Sequence, residues 1–227
     1  WGTDEVLPDS IGFVDGEGYA ADLMMTEDSR QTIVGEHPNV IDRTGEKAAL
    51  KSNTNPDNYD IHYLDGSLVV VDADPYDGEY DAKGHSIAVN VPGIPGVDPG
   101  EVTVTYSWNP GGPYTSSEAL AWTDAVTDKT VYYKVEIPGY PDVYGSSTIG
   151  ITPVPVVIVS NSDSKTYDGD PLTNWTGVAT ITTNGVSETF DVETEVPLLG
   201  SDAIVLTYTG SRTEVGSSPN TFDYAFL

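Results

Sequence analysis

An all-β chain made of tandem sandwich modules is what this sequence predicts, on three observations. Valine, threonine and tyrosine recur in short alternating runs, the period of two that marks half-buried strands. Sixteen prolines and 23 glycines gather between those runs, and apolar stripes at helical spacing are nearly missing. Segments far apart in the chain also resemble one another, and internal repeats override length as a guide to domain number. In 227 residues the repeats mark three modules, 1–73, 74–155 and 156–227, each large enough for a modest core.

Composition narrows the partners. Thirty-six acidic residues against 9 basic ones give a formal net charge of −27, a field that repels nucleic acid and anionic lipid alike. No apolar run approaches the roughly 20 residues needed to cross a bilayer, so membrane insertion is not expected of this segment. Cysteine is absent, which excludes a disulfide frame, a thiolate metal site and a thiol nucleophile. In a chain of secreted character that absence points to an extracellular bacterial surface. Trp1-Gly2-Thr3 is neither an initiator methionine nor a signal peptide, so the expectation is a mature chain or a piece of a longer one.

Residues 1–57 carry turn signals at Asp15-Gly16 and Gly18, and Leu23-Met24-Met25 reads as a strand. The stretch Ser29–Asn39 then matches Ser211–Asn220 with one inserted residue, sharing Ser, Arg, Val, Gly, Pro and Asn in order. The segments before the two matches, ending in Met24-Met25 and in Val205-Leu206, should therefore be one strand in two copies. Asp65-Gly66 suits the two positive φ values of a type I′ turn. Such a turn would pair Tyr63 with Leu68 and Ile61 with Val70, closing the first module with an exit hairpin. Tyr76-Asp77-Gly78 comes next and recurs as Tyr167-Asp168-Gly169, marking two module starts.

The central module has alternating apolar rows at Ile87–Val91, Val102–Trp108, Val131–Ile137 and, more weakly, Val143–Ile151, separated by the loops Pro92–Gly100 and Asn109–Pro113. Regular strands without a covering helix are expected to form two facing sheets. The third module restarts at Val156–Val159, turns sharply at Asn184-Gly185 with Thr183 opposite Val186, and adds a strand over Ile204–Tyr208. Carrying the distance from Gly169 to Gly216 back from Gly35 leads past residue 1. The first module is thus expected to lack its opening strand, and the last its exit hairpin. Either the chain is a piece of a longer array, or the unfinished end of one copy is completed by the start of another.

Together, the Tyr-Asp-Gly strand, the Ser-Arg…Val-Gly…Pro-Asn loop, the Asn58-Tyr59…Asp65-Gly66-Ser67-Leu68-Val69-Val70 segment and Thr130–Val135 resemble the MBG-type and related Ig-like repeat modules of long bacterial surface proteins, adhesins above all. The resemblance covers nearly the whole chain. It implies an elongated array of Ig-like sandwiches whose partners are neighbouring modules of the same or another copy. A host glycan or protein is the further partner that an adhesin module would take.

Site chemistry is sparse. Asp72, Asp74, Asp77, Glu79 and Asp81 crowd the first module junction at the two-residue spacing of many calcium ligands, although no glutamate closes an EF-hand loop. Acidic turn residues in water account for the same pattern, and calcium is the one cofactor to consider. His37, His62 and His85 lack second ligands at metal-site spacing. No nucleophile elbow, phosphate loop or dinucleotide fingerprint occurs, so no catalytic residue is assigned and an enzyme is not expected. Tyr114 and Trp122 are the candidate stacking surfaces for a sugar ring, whereas Trp108 continues an inward row. Lys134, on the face opposite Val131 and Tyr133, is expected in solvent and not in an isopeptide crosslink. The function expected is a non-catalytic stalk, spacer or filament shaft, with a polymerising subunit or a ligand-binding adhesin module as alternatives.

Overall fold

The computed structural model describes residues 13–14, 16–44 and 49–227; Trp1-Gly2-Thr3 and Asp15 of the first turn signal lie outside them. Fourteen strands occur among the described residues: β1 (Gly35–Asn39), β2 (Gly66–Val70), β3 (Asp72–Asp74), β4 (Tyr76–Glu79), β5 (Ala88–Asn90), β6 (Thr103–Ser107), β7 (Val126–Glu136), β8 (Val143–Thr152), β9 (Val156–Ser160), β10 (Gly177–Thr183), β11 (Val186–Val192), β12 (Glu195–Pro197), β13 (Ala203–Tyr208) and β14 (Phe222–Phe226). They form small sheets in the orders β1-β2, β3-β5, β4-β8-β7-β6, β11-β10-β9 and β12-β13-β14. The only helical pieces among the described residues are three single 3-10 turns. Two of them open on proline, with the Asn55 and Asp98 side chains accepting the N–H of Asp57 and Gly100, as helix starts require. No described helix is long and apolar enough to cross a membrane.

The chain divides into two compact units. One comprises Trp1–Ala73, Val89–Thr105 and Tyr133–Gly145, and the other Asp74–Ala88, Tyr106–Tyr132 and Ser146–Leu227. Residues 74–155, expected as one central module, supply residues to both units.

In the first unit, β2 pairs antiparallel with β1, Gly35 opposite Val70 and Asn39 opposite Gly66. This corrects the exit hairpin expected at Asp65-Gly66. Residues 59–65 form no strand, and neither Asp65 nor Gly66 has positive φ. Instead the Asp65 carboxylate accepts the Ile41 N–H at 3.0 Å and the Arg43 guanidinium at 2.7 Å. Asp-Gly is a local turn signal, and a distant donor has captured the side chain the turn would need free. Alternation along the β7 row holds: Tyr133, Val135 and Ile137 are buried in this unit. Gly145 leaves the space that the Tyr133 ring occupies, since a Cβ there would collide with the phenol oxygen.

In the second unit β4 runs parallel to β8, Tyr76 opposite Ile149 and Glu79 opposite Thr152. Ile87, Val131, Ile149 and Ile151 are buried there. Each contributes roughly 1.5–3 kcal/mol through removal from water. The Asn184-Gly185 hairpin forms as expected, with φ of 51° and 76° and Thr183 opposite Val186. Ala179, Val192, Val196, Ile204 and Leu206 make one buried cluster, with Ile158, Phe190, Leu198, Tyr208 and Phe222 packed against it. Val186, opposite Thr183 at the hairpin tip, is 67% exposed.

The two copies of the repeated loop share a frame. Gly35 has φ of 152° and Gly216 of 134°, a region that disfavours a side chain. The segments ahead of the loops differ from the one strand in two copies that was expected: Leu23-Met24-Met25 forms no strand and only Met25 bridges Ile41, whereas Ile204–Leu206 lies in β13, whose Tyr208 pairs with Phe222. Beyond the glycine the copies diverge. Gly35–Asn39 is a paired strand, whereas 216–220 is not in a strand. The two Tyr-Asp-Gly tripeptides also part company, 76–78 lying in β4 and 167–169 in an irregular segment with Gly169 at φ 89°.

Candidate interaction surfaces

The five carboxylates put forward for calcium do not converge. Asp72 accepts the N–H of its neighbour Ala73 at 2.8 Å. The Glu79 carboxylate accepts the Asn184 N–H at 3.1 and 3.2 Å, and Asp81 takes His85 Nε2 at 2.8 Å with Lys83 Nζ at 3.4 Å. Asp72 and Asp74 lie on β3, Asp77 on β4, and these strands belong to different sheets. Alternate residues of an extended strand stand roughly 7 Å apart, so carboxylates spaced two apart cannot wrap one ion unless the chain curls. Among the described residues, no three potential His, Asp or Glu ligands gather around a common point.

The aromatic candidates are held by different partners. The Tyr114 hydroxyl donates to the Pro110 carbonyl at 2.8 Å, folding the ring back over its own loop beside Gly112. Trp122 meets Trp108 edge-on at 5.9 Å between centroids. Lys129 places its ammonium 4.3 Å from the Trp122 ring centre and 5.0 Å from that of Trp108. The indole face expected to stack on a sugar thus already carries a cation. Trp108, placed in the core by its alternation, is half-buried.

Sequence reasoning missed a cluster beside Trp122. Trp122 bridges His85 antiparallel, and the His85 ring stacks on Tyr76 at 3.9 Å and 11°. Its Nε2 meets Asp81 Oδ1 at 2.8 Å and the Tyr76 hydroxyl at 3.2 Å. The only sequence signal was the i, i+4 spacing of Asp81 and His85. Lys134, expected in solvent, reaches Glu136 at 2.8 Å and Asp142 at 2.9 Å, and these hydrogen bonds hold its pKa above the usual lysine range.

Three aspartates sit below their ordinary range for local reasons. The Ile41 N–H and then Arg43 lower Asp65, His85 and then the Lys83 N–H lower Asp81, and Lys165 and then the Asp170 N–H lower Asp168. A depressed carboxylate favours the folded chain above its unfolded pKa, about 4, and this contribution disappears as pH falls through the folded value. Acid unfolding is therefore expected to begin below about pH 4. The triple variant Asp65→Asn, Asp81→Asn, Asp168→Asn should show a flatter dependence of urea midpoint on pH between about 2 and about 5. An unchanged slope would show that these pairs do not set the acid limit.

Two of the clefts in the second unit bear on the sequence-predicted residues. One, about 370 Å³, is lined by Val154, Val156, Ile181, Leu198 and Phe226, with Tyr80 at its rim. The Tyr80 hydroxyl donates to Asp202 at 3.0 Å, and that bond raises the phenol pKa. The other, about 590 Å³, lies between residues 162–174 and 210–220. It brings together Tyr167 of the second Tyr-Asp-Gly and the second copy of the repeated loop. Lys165 pairs with Asp168 at 2.6 Å. Arg212 donates to the carbonyls of Glu214 and Val215 at 2.9 and 3.1 Å, which holds the turn ahead of Gly216.

These features define a class, an all-β chain of several small sheets whose notable surfaces are clefts and open strand edges. No family model matches the chain, and neither a curated protein nor a solved structure matches it.

Proposed function

We propose that the chain is a non-catalytic structural segment, a stalk, spacer or filament shaft, of an adhesin-like extracellular protein on a bacterial surface, built from repeated Ig-like β modules. The observation that carries this reading is the pair of matching loops. Gly35 and Gly216 hold closely similar positive φ within equivalent sequences, each bracketed by segments that meet antiparallel. Strong net negative charge keeps such a shaft soluble. Antiparallel sheets loaded along the chain resist extension through many ladder bonds at once.

Force spectroscopy on the full chain, held at both ends, tests it. The expected trace has separate rupture events, one for each cooperative unit. A featureless extension would remove the shaft reading. A second reading, a subunit that polymerises by strand complementation, is favoured by the unpaired state of 216–220.

A further inference from the structure

The first copy of the repeated loop has something that the second lacks. Its Gly-Glu-His-Pro-Asn strand, β1, is covered by Gly66–Val70, with His37 opposite Leu68 and Glu36 opposite Val69. In the second copy Gly216-Ser217-Ser218-Pro219-Asn220 occupies the equivalent place and borders the 590 Å³ cleft. Among the described residues, the N–H groups of Gly216, Ser217 and Ser218 make no backbone hydrogen bond, and all three residues are exposed. The far end of the segment is fixed: Asn220 Nδ2 donates to the carbonyls of Asn161 and Asn174 at 3.0 and 2.9 Å. Arg212 fixes the near end through the Glu214 and Val215 carbonyls. A short segment anchored at both ends, lining a cleft and with N–H groups that make no backbone hydrogen bond, is a template for an added strand.

We propose that Gly216–Asn220 is a strand acceptor whose occupant is the Gly66–Val70 segment of a second copy of this chain, exchanged from that copy's own β1. It adds antiparallel with Val70 opposite Gly216, Leu68 opposite Ser218 and Gly66 opposite Asn220. Two things on the molecule select that occupant. The first copy shows the same Gly-x-x-Pro-Asn pattern accepting this sequence in this register. Both acceptors carry proline at the fourth position, so the donor strand must tolerate one missing ladder bond there, as β2 does opposite Pro38. Leu68 and Val70 would enter the side of the cleft formed by Tyr167 and Leu172.

The chain has no cysteine, so the register can be read by disulfide capture. The full chain carrying Ser218→Cys is mixed under mild oxidation with a peptide of residues 63–72 carrying Leu68→Cys. Directly opposed residues of an antiparallel pair lie within disulfide reach. A peptide with Val69→Cys instead presents its thiol on the other face of the strand. The matched peptide is expected to give about tenfold more adduct than the shifted one, because a one-residue slip reverses every side chain. Equal yields, or no adduct from either, overturn the proposal. Fluorescence anisotropy of the labelled wild-type peptide on the unmodified chain gives a second reading. Saturable binding that Val69→Pro abolishes supports the acceptor, and binding indifferent to the proline counts against it.

The inference rests on the repeat reading of the proposed function, and a loop graft separates their failures. Replacing residues 212–215 by the sequence of residues 30–34 should leave a folded chain if the two loops are copies. A graft that unfolds removes the repeat reading and the acceptor with it. A graft that folds, combined with no adduct, removes the acceptor alone.

Discussion

Replacing Ile149 by alanine is expected to lower the unfolding free energy by about 2–5 kcal/mol, the cost of a large aliphatic truncation that leaves a cavity. Ile149 is wholly buried in β8 and stands opposite Tyr76 in the parallel pairing with β4. Its loss therefore removes core contacts at the point where β4 joins the sheet. A urea titration followed by tryptophan fluorescence measures the change. The control Ser146→Ala, on the exposed face of the same strand, should stay within about 0.5 kcal/mol. A loss at Ile149 no larger than the control's would mean that this part of β8 does not bear a core.

The second large effect is at Gly177 in β10, where alanine is expected to cost about 1–3 kcal/mol by overpacking. A Cβ there would stand 2.7 Å from both the Val159 carbonyl oxygen and the Tyr208 hydroxyl. The first is backbone of the paired strand β9 and cannot swing away. The second is a buried hydroxyl with no hydrogen-bond partner among the described residues, so Tyr208→Phe should do the opposite and leave the chain as stable or about 1 kcal/mol more so. In the double variant part of the Gly177→Ala loss should return, since one of its two clashes is gone. Strict additivity of the two changes would show that the side chains do not share that space.

The residues that were legible in the sequence are those whose partners are close along the chain. Asn184-Gly185 could be assigned with its register because turn geometry and the flanking alternation are both encoded within a dozen residues or so. The row Val131, Tyr133, Val135 and Ile137 was legible because burial of one sheet face imposes a period of two on the sequence itself. Asp65-Gly66 carried an equally good turn signal and misled. Its aspartate is bound by Ile41 and Arg43 and its following strand by Gly35–Asn39, and nothing local announces either partner. The same limit explains the aromatic candidates. Spacing cannot reveal that Lys129 would cover Trp122 and Trp108.

Sequence alone settled the β character of this protein, the exclusion of thiol chemistry and the likeness of the two loops. Side-chain alternation, residue inventory and repeated glycine positions need no knowledge of what lies across space. Tertiary structure alone decided which strand lies beside which, including the parallel union of β4 with β8. It also decided that one copy of the loop is covered while the other stands open. The physical reason is that ladder bonds are the same for every backbone. A strand's own residues state that it needs a neighbour, and only the folded chain supplies one or leaves the place open.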